Sequence, residues 1–154
     1  MFSFFKKKQA AAVFEVDSPK LSITPNPHNL KSSLKNAEID YKVVTDGFIT
    51  FAGCVFDSDI PFVIGIHFRS FRIKYIEIFR TAEYYHSEKY DINTSFAELF
   101  DILKKKYGNP MVTTAASING YPWEQWIVPG YIVNHYIMNR FGLEEHLHIN
   151  FYKG

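Results

Sequence analysis

Near its end the chain reads EEHLHINFYKG, with His146 and His148 two residues apart behind Glu144 and Glu145. Residues two apart in an extended strand point to the same side, so both imidazoles are offered to one face. That is the smallest arrangement from which a strand can grip a transition metal. A His-based metal-dependent hydrolase would be built around this pair, with its third ligand sought at His135 on the preceding run. Register decides whether His135 can join. Leu147, Ile149 and Phe151 form the apolar face of the last run, leaving His146, His148 and Asn150 opposite, while Val133 and Ile137 are the aliphatic residues of the run before. Matching apolar to apolar sets odd residues against odd, because a slip of one would place Asn150 across from Val133. His135 then falls among core residues, away from the other two. Glu144 and Glu145 remain as substitutes at no compelling spacing. The expectation is a solvated or partner-facing histidine pair, no metal or other cofactor, and a hydrogen-bonded, largely buried His135.

Other reactive residue types are explained by simpler roles. Cys54 lies among Phe51, Ala52, Gly53, Val55 and Phe56, which reads as a small core residue, and a lone cysteine makes no intramolecular disulfide. Asp57 and Asp59 in FDSDIP lack the further regularly spaced oxygens of a calcium loop and read as a turn. The chain contains no G-x-S-x-G elbow, phosphate-binding glycine loop, H-E-x-x-H helix or C-x-x-C pair.

Binding is therefore the stronger theme. The net charge is +1, from 17 Lys and Arg against 16 Asp and Glu, so a nucleic acid or anionic surface would need a local patch. FRSFRIKYIEIFR offers one: Arg72 and Lys74 share the face opposite Ile73 and Tyr75, with Arg69 at the strand end, a mixture suited to single-stranded nucleic acid. The chain also holds 15 Phe, 10 Tyr and 2 Trp, more rings than a core of this size absorbs without leaving some at the surface. Tyr84, Tyr85 and Tyr90 lie in a polar connection, and Tyr121, Trp123 and Trp126 around a hairpin. Rings so placed are typical anchors for a protein partner or a second copy of the chain. The leading expectation is a small, non-catalytic, cytoplasmic protein-interaction domain presenting an aromatic-rimmed sheet surface.

The elements that must position these residues follow from periodicity and turn chemistry. Residues 1–12 read as a flexible N-terminal segment. Its lysines follow Phe2, Phe4 and Phe5 with no apolar run behind them, so no export signal is expected. Residues 13–154 read as a single α+β domain. VFEVDSPKLSI reads as a hairpin, and Asn26 with Pro27 opens a short helix whose Leu30 and Leu34 share a face. Residues 39–79 read as a β-meander turning at Asp46-Gly47, which would use positive φ, and at Arg69-Ser70. SFAELFDILKKKYGNP is the main helix. Ser95 and Glu98 have capping-box spacing, Phe96, Leu99, Phe100, Leu103 and Tyr107 form the buried stripe, and Gly108 is the end cap. A second meander turns at Asn119-Gly120, Pro129-Gly130 and Asn139 to Glu144. Short sequential connections favour antiparallel neighbours, giving an antiparallel sheet of about six to eight strands in two meanders, the main helix on one face and a short N-terminal helix beside it.

Overall fold

The computed structural model describes residues 12–26, 28–114 and 120–152. The N-terminal phenylalanines and lysines, Pro27 and Asn119 lie outside them. Four strands, β3 (Tyr41–Thr45), β4 (Phe48–Gly53), β5 (Phe62–Arg69) and β6 (Arg72–Arg80), make the first meander. The second is β7 (Val112–Thr114), β8 (Trp123–Val128), β9 (Tyr131–Asn139) and β10 (Leu143–Phe151). They join into one eight-stranded antiparallel sheet of order β3-β4-β5-β6-β10-β9-β8-β7. The chain thus leaves β6, crosses to the far edge and works back inward, so its last strand lies in the middle beside β6.

The crossing is made by α2 (Ala82–Tyr85) and α3 (Ile92–Tyr107), while β1 (Phe14–Val16), β2 (Leu21–Ile23) and α1 (Leu30–Asn36) precede the sheet. All pack on one side of it. Leu99 and Leu103 of α3 are buried, Phe96 lies flat on His135 with ring centroids 3.9 Å apart, and the Tyr107 and Tyr131 hydroxyls meet at 3.0 Å. Phe14 of the β1–β2 hairpin packs edge-on against Phe56 and Tyr131. Beneath them runs one apolar layer that includes Ile49, Phe51, Phe62, Ile64, Ile66, Ile76, Ile78, Val133, Leu147 and Ile149. Among the described residues no helix is long and apolar enough to cross a membrane.

Local chemistry explains four departures from the sequence reading. α3 begins at Ile92, because Asp91 accepts a bond from the Thr94 amide and supplies the cap expected of Ser95. Ser95 is instead fully buried and engaged with Arg80 and Glu145. α1 starts at Leu30 after Asn29, and the Asn26 side chain accepts from the His28 amide in the turn before it. Asp46-Gly47 does turn the chain, yet the left-handed pair is Ser70-Phe71, with φ of 47° and 61°, where β5 passes into β6. Finally, β6 carries a bulge: His67 pairs with Tyr75 but Phe68 pairs with Ile73. The extra residue, Lys74, sends Ile73 to the covered side and Tyr75 to the other, so Arg72 and Lys74 do not line a face opposite both.

Candidate functional site

The two faces of the sheet carry different chemistry. On the covered side His135 is completely buried, with Nε2 2.8 Å from Glu145 Oε2 and Nδ1 3.5 Å from Glu124. Glu145 takes a further bond from Ser95 at 2.5 Å. Ser95 receives the Arg80 guanidinium at 3.1 Å, and Arg80 also reaches Glu98 at 2.7 Å. Hydrogen bonds link Arg80, Ser95, Glu145 and His135 Nε2 under the lid of Phe96 and α3, while His135 Nδ1 and Glu124 Oε2 are buried beside each other without a hydrogen bond.

On the opposite side no described element packs over the sheet. Register β9 against β10 is odd with odd, His135 opposite Leu147 and Val133 opposite Ile149, so His146 and His148 face away from His135 as expected. A residue sequence reading did not offer joins them. Glu77 of β6 stands directly across from His148, and a donor atom from each of Glu77, His146 and His148 lies within 4.8 Å of the others. Glu77 Oε1 is 3.4 Å from His146 Nδ1 and 3.4 Å from His148 Nε2. The His148 nitrogen is buried and makes no hydrogen bond at that distance.

Two members of the cluster are held from behind. Glu77 Oε2 is 3.2 Å from His67 Nε2, and His146 Nε2 is 3.1 Å from Glu144 Oε2. Rings stack sideways along the face: Phe48 on His67 at 4.1 Å, His67 on Tyr75 at 4.2 Å, Tyr75 on His148 at 4.8 Å, and Tyr136 on His146 at 5.2 Å. Gly65, beside Glu77, leaves the space into which Phe48 and Phe79 lean; a Cβ there would meet them at 2.7 and 3.0 Å. Asn134 and Gln125 extend the polar row beyond His148, bonded to each other at 2.9 Å.

The electrostatics follow from this packing. Burial pushes the Glu77 carboxyl up, but His146, His148 and His67 together outweigh it and bring it down to about 2. The bond to Glu77 raises His146 against the effect of its own burial, and Glu144 adds to the rise. His67 moves the other way, since its burial exceeds the pull of Glu77.

No protein family model, curated protein or solved structure matches the chain. The site consists of two half-buried imidazoles and one buried carboxylate, with donor atoms within 4.8 Å of one another and rings around them.

The remaining expected residues fall elsewhere. Tyr84, Tyr85 and Tyr90 form a three-ring edge-to-face cluster at α2, with Tyr85 exposed and Tyr84 4.3 Å over the Arg80 guanidinium. Tyr121 accepts from Asn139 at 3.1 Å, and Trp123 pairs across β8–β9 with Tyr136 on the open side. Trp126 is a correction: it is 2% exposed, its Nε1 donates to the Gly108 carbonyl, and it belongs to the core rather than to a partner surface. Arg69, Arg72 and Lys74 are all exposed at the β5–β6 end, outside the His–Glu cluster. Cys54 is half-buried with its thiol toward the Asp59 carbonyl, and Asp57 forms its turn and pairs with Lys106 at 2.7 Å.

Proposed function

We propose that this protein is a small, non-catalytic binding domain whose recognition surface is the open face of the sheet. The observation that carries the reading is the asymmetry of the sheet. One face is sealed by α3, α1 and the β1–β2 hairpin, while the other bears Phe48, Tyr75, Tyr136 and Trp123 around polar side chains with no described element above them. Rings stacked side by side are already ordered. A protein partner laid on them buries large area at little further cost in side-chain entropy, and the polar row through Glu77, His148, Asn134 and Gln125 supplies direction. The tyrosine cluster at α2 is a separate surface: its rings are engaged with one another and with Arg80, whose burial ties them to the fold.

Site-specific photo-cross-linking separates the two faces. A photoreactive residue at Tyr136 or Ile127 on the open side should yield a discrete protein adduct, with a second copy of the chain or with another protein. The same residue at Lys105 on exposed α3 should not. Equal, diffuse labelling from both sides would remove the reading.

A further inference from the structure

The geometry points to a divalent transition-metal site, of the zinc class, formed by Glu77, His146 and His148 at the centre of the open face. It stands whether or not a protein docks there, because it rests on the donor atoms themselves. Two ligands of a tetrahedral zinc ion, each about 2.1 Å from the metal, lie about 3.4 Å apart. Glu77 Oε1 is 3.4 Å from His146 Nδ1 and 3.4 Å from His148 Nε2, so two edges of such a tetrahedron already exist. The third edge, no longer than 4.8 Å, closes by small rotations of the imidazoles.

Three further features fit a metal better than an ion-paired cluster. His148 Nε2 is buried, 3.4 Å from a carboxylate oxygen, and yet makes no hydrogen bond. An imidazole placed there to pair with Glu77 would turn its N–H onto the oxygen, whereas a ligand nitrogen presents its lone pair to a point between the two. His146 offers Nδ1 to the cluster while Nε2 engages Glu144, the carboxylate–histidine arrangement that orients a metal-bound imidazole. Glu77 offers one oxygen inward and holds the other on His67, itself clamped between Phe48 and Tyr75. The donor set of two nitrogens and one oxygen suits zinc, iron(II), cobalt(II) or nickel(II) and not the all-oxygen demands of calcium or magnesium. Three protein ligands leave one position of a tetrahedral ion for water or an exogenous ligand.

The test uses the full chain, prepared without a histidine tag, stripped with chelator and titrated calorimetrically with zinc chloride; cobalt(II) provides an optical readout. One zinc per chain is expected, with visible cobalt absorption of a four- or five-coordinate nitrogen–oxygen site. Glu144→Gln and His67→Gln should weaken binding by about 10- to 100-fold, and Glu77→Gln or His148→Gln by more, while His86→Ala on the exposed α2 cap should leave it unchanged. For any ligand variant that fails to fold, imidazole resonances of the wild-type protein decide: zinc should move those of His146 and His148 and spare those of His135. Absence of zinc binding by the folded wild-type chain would overturn the inference, as would binding that survives both ligand substitutions or that shifts only surface histidines.

Discussion

His135 and His148 lie on neighbouring strands and face opposite ways, and the same imidazole chemistry has opposite surroundings on the two sides. His135 is enclosed by Glu124, Glu145 and Phe96, so removing it strands a buried carboxylate. His135→Ala is expected to cost about 3 to 5 kcal/mol of stability, read from denaturant midpoints, without changing the zinc stoichiometry of whatever protein stays folded. Loss of zinc with retained stability would reverse the roles assigned to the two faces. A second prediction concerns the Tyr107–Tyr131 hydroxyl pair beneath α3. Burial holds Tyr107 well above the usual tyrosine range, with Tyr131 beside it adding to the rise, and burial also raises Tyr131. The unfolded chain releases these protons near pH 10 while the folded chain keeps them, so this part of the stability is intact below about pH 10 and declines as pH rises toward the folded values. Denaturant midpoints measured from neutral to strongly alkaline pH should therefore fall less steeply for the Tyr107→Phe, Tyr131→Phe double variant than for the wild type. Parallel curves would mean that the pair is not buried as described.

At the scale of elements, α3 shows what sequence periodicity carries and where it stops. The stripe of Phe96, Leu99, Phe100, Leu103 and Tyr107 was legible because a helix covering a sheet must repeat its apolar residues every three or four positions. Its start was not legible, since Ser95 and Glu98 have the spacing of a cap but serve Arg80 and Glu145, partners that only tertiary structure brings near. Leu103 has no solvent exposure, and Leu103→Ala should cost about 2 to 5 kcal/mol; an unchanged melting midpoint would contradict the covering role of α3. β5 makes a different kind of prediction. Gly65 is required by sterics, because a methyl group there meets the Phe48 and Phe79 rings at 2.7 and 3.0 Å. Gly65→Ala should destabilise the protein by about 1 to 3 kcal/mol and, by tilting Phe48 off His67, weaken zinc binding as well. Stability lost with zinc affinity unchanged would separate the ring stack from the site.

For the whole molecule, an antiparallel sheet of about six to eight strands in two meanders and the opposition of His135 to His146 and His148 were implied by alternation and turn residues, and the sheet has eight. The joining of the meanders was not. Nothing local says that β10 settles beside β6 rather than at an edge, and Glu77 and His146 are 69 positions apart. The third member of the cluster was hidden for that reason, and because Glu77 sits in YIEIF, where a single acid on the wet side of a strand looks ordinary. The bulge at Lys74 hid it further by changing which residues of β6 share a side. Central placement of β10 is what makes the open face a site, since it brings the only strand with paired histidines against the strand that carries the buried glutamate. Crystals grown with zinc chloride and measured at the zinc absorption edge test this most directly. An anomalous peak is expected about 2 Å from His146 Nδ1, His148 Nε2 and a Glu77 oxygen, with His67 and Glu144 behind the ligands; a Glu77–His146–His148 cluster without density, in crystals whose surface histidines carry zinc, would contradict the metal site.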